Sequence, residues 1–244
     1  VFWGAIMIKT ALHDYTDGRD RFVGRLVWDD AVTEPVPGVL VAPAFGGLGP
    51  FEEERAIALA ELGYVALAVD YYGDGQRASG EEEAYALMRA LDADRDRLAG
   101  RMVAALNELK RQDRVDAESV GAIGYCFGGK AVLDLARTGE RFDACACFHG
   151  VYDAPDNSTS AIVPSVMVFH GWDDPLARPD DFTALAAELT AKCTDWQMQA
   201  FGHTGHAFTN PNAQSPDAGM MYSQRTALRS WESLTTFFDE KLRA

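Results

Sequence analysis

Cys126 stands in the run Gly124-Tyr125-Cys126-Phe127-Gly128-Gly129, after a short apolar stretch and before an amphipathic one. A thiol on a tight strand-to-helix turn has the setting of a nucleophile. The strained backbone points the side chain outward, and the residues two before and two after must be small so that strand and helix can approach. Gly124 and Gly128 meet that demand. The same turn would aim the backbone N–H of Phe127 at a carbonyl oxygen as one oxyanion donor. A helix N-terminus beneath the sulfur favours thiolate over thiol. Taken alone the pattern is short, and a free cysteine at a strand end is as often a small buried hydrophobe.

Two further segments change the balance. An apolar run at 166–169 leads into His170-Gly171-Trp172-Asp173-Asp174-Pro175, and a later loop reads Gly202-His203-Thr204-Gly205-His206-Ala207-Phe208. Nucleophile, acid and histidine in that chain order, each at a strand end, form the constellation of an α/β-hydrolase. Of the two aspartates, Asp174 fits the Gly-x-x-Asp-Pro turn of that fold. Asp173 or Asp174 serving only as a turn cap, and His203 as a solvent-facing loop residue, are the plainer alternatives. His149 and His170, also at strand ends, are expected to be satisfied by backbone partners.

The elements that must carry these residues alternate between short runs rich in Val, Ile, Leu and Phe and amphipathic stretches, the pattern of a mostly parallel sheet covered on both faces. Strands are predicted at 8–13, 21–28, 39–42, 64–69, 120–124, 144–148, 165–169 and 196–200, the first two as an antiparallel hairpin at the sheet edge. Helices are predicted at 52–62, 128–137, 180–191 and 221–242, and over 81–111 with an interruption near Gly100. The charges at Asp92, Asp94, Arg95, Asp96 and Arg97 read as a solvated helix face.

At 244 residues and 48% hydrophobic, the chain suits a single α/β domain over 1–244. Residues 1–6 are read as an upstream extension, with Met7 as the native start. A net charge of −15 opposes nucleic acid and anionic membrane as partners. The four cysteines show neither CxxC pairs nor the density of a disulfide scaffold, so no metal, no cofactor and a reducing, cytoplasmic setting are expected, for a monomer or small homo-oligomer.

Together, Gly-Tyr-Cys-Phe-Gly-Gly at 124–129, His-Gly-Trp-Asp-Asp-Pro at 170–175 and Gly-His-Ala-Phe at 205–208 resemble the dienelactone hydrolase family, whose members carry cysteine in the elbow. Gly63-Tyr64-Val65-Ala66 and Asp70 resemble its second core strand. The resemblance implies hydrolysis of a small ester or lactone, with Cys126 as nucleophile, His206 as proton carrier and Asp174 as its orienter. It implies a second oxyanion donor at the Phe45 backbone N–H. The best-known members place a glutamate in that loop, where this chain has Ala44, and two substrate-binding arginines, where it has Asp74 and Asn210. Arg77 supplies a cation only if its loop bends inward. Phe45, Tyr71, Tyr72 and Trp172 are candidate apolar walls for a neutral substrate, with core packing the alternative for each. Loss of the glutamate and arginines also suits a hydrolase-fold binding protein with little or no turnover.

Overall fold

The computed structural model describes residues 6–156, 158 and 161–243. Residues 1–5, most of the expected upstream extension, lie outside the described residues. Eight strands build a mostly parallel sheet flanked by helices. The chain falls into two compact units, Val1–Ala122 and Ile123–Ala244.

In the first unit β1 (Ile8–Thr16) and β2 (Arg21–Asp29) pair antiparallel around the turn that Asp17 closes, its Oδ1 accepting the N–H groups of Arg19 and Asp20. Next come β3 (Val36–Ala42), α1 (Pro50–Glu61) and β4 (Val65–Ala68). The order β1-β2-β4-β3 places β4 between an antiparallel neighbour, β2, and a parallel one, β3. Val39, Leu40, Val41, Val65, Ala66 and Leu67 are buried without alternation, as a strand covered on both faces requires. Pro37 and Gly38, expected ahead of β3, lie inside it.

The helical stretch after residue 80 is two helices, α2 (Glu81–Asp92) and α3 (Arg95–Lys110). The break falls at Asp94, not at Gly100. The Asp94 carboxylate caps α3 by accepting the Arg97 N–H at 3.1 Å, a bond that costs about 1 kcal/mol to lose. Gly100 continues inside α3 because one glycine weakens a helix without stopping it.

β5 (Val115–Tyr125) runs from the first unit into the second, where α4 (Phe127–Arg137), β6 (Ala144–Phe148), β7 (Ser165–Gly171), α5 (Pro179–Lys192) and β8 (Trp196–Phe201) follow. β6, β7 and β8 pair in parallel in that order. Met221, expected to open the last helix, instead ends a two-stranded ribbon, β9 (Gln214–Ser215) with β10 (Met220–Met221), around a 3-10 turn at Pro216–Ala218. Ser223 then caps α6 (Gln224–Leu242). Among the described residues no helix is long and apolar enough to cross a membrane.

Candidate active site

In the second unit, Cys126 is the N-cap of α4 with φ 56 and ψ −116, a left-handed backbone that is costly for a residue with a Cβ. Packing imposes it. A Cβ on Gly124 would lie 2.0 Å from the Gly128 carbonyl oxygen, so strand and helix meet at a distance only glycine permits. The Cys126 N–H donates to the Phe148 carbonyl at 3.1 Å, tying the turn to the end of β6. Phe127 is the first residue of α4, at the positive end of the helix dipole. The Cys126 side chain is partly exposed, whereas Cys145, Cys147 and Cys193 are buried. Burial pushes the Cys147 thiol up to about 12, leaving it an inert core thiol.

His206 Nδ1 and Asp174 Oδ2 are 2.8 Å apart, and both side chains are buried. The other Asp174 oxygen accepts the N–H groups of Leu176 at 2.8 Å and Ala177 at 3.3 Å, which fixes the carboxylate in its turn. Asp173 and His203 face outward. The His203 side chain is 99% exposed and its Nδ1 is 3.9 Å from Asp173.

Glycines again set the approach. A Cβ on Gly171 would fall 2.4 Å from the Gly205 carbonyl oxygen, and one on Gly205 would fall 2.2 Å from that of Gly219. The β9–β10 ribbon, absent from the sequence expectation, holds the histidine main chain. His206 N–H donates to Gly219 at 2.8 Å, and Met221 N–H donates to His206 at 3.2 Å.

His206 Nε2 is buried, and the ring interacts with Cys126. Burial favours the neutral ring. Interaction with Cys126, and then the Asp174 bond, outweigh burial and raise the imidazole to about 10. These contacts favour the protonated ring.

His149 and His170 each meet a side-chain hydroxyl that the sequence did not suggest: His149 Nε2 is 2.7 Å from Thr209 Oγ1, and His170 Nδ1 is 3.0 Å from Tyr152 Oη. Burial holds both rings below the ordinary histidine range, His149 well below it.

In the first unit the candidate wall and oxyanion-loop residues cluster. The Tyr72 hydroxyl donates to the Phe45 carbonyl at 2.8 Å, and the Tyr71 hydroxyl donates to that of Pro43 at 2.6 Å. Buried Glu52 accepts the Ala44 N–H at 3.1 Å and the Gly49 N–H at 2.9 Å, bracing the loop that carries Phe45. Burial raises the Glu52 carboxyl, opposed first by the main-chain N–H groups it accepts and then by Arg77. Asp70 fixes the next loop by accepting from Tyr72, Gly73, Gly75 and Val23 N–H. Asp74 is 80% exposed, 3.6 Å from Arg21. Trp172, in the second unit, is 43% exposed. Among the described residues no group of His, Cys, Asp or Glu is arranged to hold a metal.

Sheet, helices and elbow define an α/β-hydrolase fold. The dienelactone hydrolase family profile matches residues 22–242, so the chain belongs to the dienelactone hydrolase family and is a hydrolase. A probable 2-oxo-3-(5-oxofuran-2-ylidene)propanoate lactonase of Bradyrhizobium sp is 29% identical over 214 residues, 82% of this chain and 85% of the relative. Among solved structures, m3DLH is 38% identical with a TM-score of 0.91 over 96% of this chain and 99% of that one. A dienelactone hydrolase-like promiscuous phosphotriesterase from metagenomic libraries is 37% identical with a TM-score of 0.92, again over 96% and 99%.

Proposed function

We propose that this chain hydrolyses small carboxylic esters or lactones through an acyl-thioenzyme on Cys126. The observation that carries the reading is the 2.8 Å pairing of Asp174 with His206 Nδ1, which leaves Nε2 as the working nitrogen beside a cysteine held in an elbow. The thiolate attacks the acyl carbon and the carbonyl electron pair moves onto oxygen, facing the Phe127 N–H. The Phe45 N–H is the second donor on the family resemblance alone. Collapse breaks the bond to the leaving oxygen, which takes the proton from His206 Nε2. Water then attacks the thioester, His206 accepts a proton from it, and the acid departs as the thiolate re-forms.

The substrate favoured is a neutral small molecule. On the family resemblance, Asp74 and Asn210 take the places of two substrate-binding arginines, and a buried substrate carboxylate without a partner is costly. Tyr72, Trp172 and Arg77 are proposed as substrate contacts from their residue types.

The test compares neutral p-nitrophenyl esters, neutral lactones and carboxylated lactones, each before and after iodoacetamide treatment. Turnover should fall in step with alkylation of Cys126, and neutral substrates should show the higher kcat/KM. Full activity after complete alkylation overturns the nucleophile. Preference for the carboxylated lactone overturns the substrate class and makes Arg77 the first residue to replace.

A further inference from the structure

One dipeptide of the second unit touches both sides of the proposed chemistry. The Phe148 carbonyl accepts the Cys126 N–H at 3.1 Å, and the next residue, His149, packs its ring edge-on against His206, centroids 5.0 Å apart at 69°. His149 has no part in the proton transfers described above, which this inference takes as its basis. It is nonetheless one of the most constrained residues of the unit. Its φ is 38, in the left-handed region, where a non-glycine residue persists only if its surroundings over-determine it.

Those surroundings can be named. The His149 N–H donates to Phe169 at 2.8 Å, fixing the main chain to the end of β7. Its Nε2 meets the Thr209 hydroxyl at 2.7 Å, fixing the ring to the segment just beyond His206. Phe208 also packs edge-on against the ring, with centroids 5.0 Å apart at 80°. The ring is 2% exposed.

We infer that His149 is a positioning residue: its ring, clamped by Thr209, sets the plane and distance of the His206 imidazole relative to a thiol held by the preceding carbonyl. Aromatic pairs prefer such perpendicular arrangements, so the contact resists rotation of either ring. Among the described residues of this unit, the titratable groups acting on or beside His206 are Cys126, Asp174 and His149, with Cys147 close enough to feel the first two. Burial and the His206 charge keep His149 uncharged, so it can stand beside an imidazolium without repelling it.

The test uses His149→Ala, Thr209→Val and the double change His149→Phe with Thr209→Val in the full chain, with kcat, KM and the pH titration of the His206 imidazole resonance measured for each. His149→Ala should lower kcat by about 10- to 100-fold, the scale of a misplaced catalytic group. KM should move far less. The His206 titration should fall from about 10 toward the ordinary 6.5 as the ring drifts from Cys126 and Asp174. The double variant keeps a ring and removes donor and acceptor together, so it should recover most of kcat and of the titration.

An unchanged kcat and titration in folded His149→Ala overturns the inference, as does a double variant no better than His149→Ala. If His149→Ala does not fold, Thr209→Val decides: a lowered His206 titration supports the clamp and an unchanged one overturns it. Loss of turnover on Cys126 alkylation, with His149→Ala fully active, defeats this inference alone. Turnover that survives alkylation defeats the cysteine reading beneath it.

Discussion

Asp174 Oδ2 and His206 Nδ1 lie 2.8 Å apart with both side chains buried, while the neighbouring pair Asp173 and His203 stands 3.9 Å apart in solvent. Adjacent residues of like chemistry thus have opposite environments. Asp174→Asn removes the acceptor that selects the ring tautomer and should lower kcat by about 10³- to 10⁴-fold. Asp173→Asn should leave kcat within about twofold, since exposed pairs contribute little. Steady-state rates on one neutral ester, with folding checked by circular dichroism, decide between them. Equal losses would assign the acid wrongly.

The elbow makes a steric prediction. With a Cβ 2.0 Å from the Gly128 oxygen and 2.3 Å from its carbon, Gly124→Ala forces main chain to move. The cost should be about 3 kcal/mol or more, which in a chain of this size lowers Tm by roughly 6–12 °C. Gly202→Ala, where nothing lies within 4 Å, is the control and should change Tm little. Similar melting temperatures for the two variants would mean that the elbow is looser than drawn.

The elbow, the acid turn and the histidine loop were legible because each is local. Small residues two positions either side of Cys126, and a Gly-x-x-Asp-Pro turn, state their backbone requirement within a few residues. His149 was not legible, because its meaning lies in a hydroxyl 60 residues away that only the packed fold brings near. The same holds for the β9–β10 ribbon: strands of two residues carry no periodicity, and apolar Met220 and Met221 extend the pattern of α6. In the long helical stretch, glycine is the louder signal, yet capping by Asp94 decides where the chain breaks.

That misplacement of the helix break yields its own prediction. Gly100 is exposed inside α3, and a Cβ there meets nothing within 4 Å. Gly100→Ala should therefore stabilise the chain by about 0.5–1 kcal/mol through helix propensity alone. Asp94→Ala should cost about 1 kcal/mol by uncapping the same helix. Urea midpoints at constant m-value check both, and a destabilising Gly100→Ala would place a functional or packing demand on that position.

The proton on His206 makes the pH dependence specific to the leaving group. Raised to about 10 by Cys126 and the Asp174 bond against the effect of burial, the imidazole is expected to keep its proton throughout the neutral range. It gives up that proton only as the pH rises through about 10. Below that point it can protonate a departing alkoxide; above it, that acid is gone. An alkyl ester, whose leaving oxygen needs a proton, should lose kcat/KM steeply as pH passes about 10. A p-nitrophenyl ester, whose phenolate leaves without help, should lose much less over the same interval. The sign follows from the direction of the shift: had burial prevailed and lowered the imidazole, the alkyl ester would already decline below neutral pH. Rates should be taken from brief exposures, with recovery at pH 7 showing that the protein stayed folded. Parallel profiles for the two esters would remove His206 as the acid of the acylation step, whereas separation only above about pH 10 would assign the proton to Nε2.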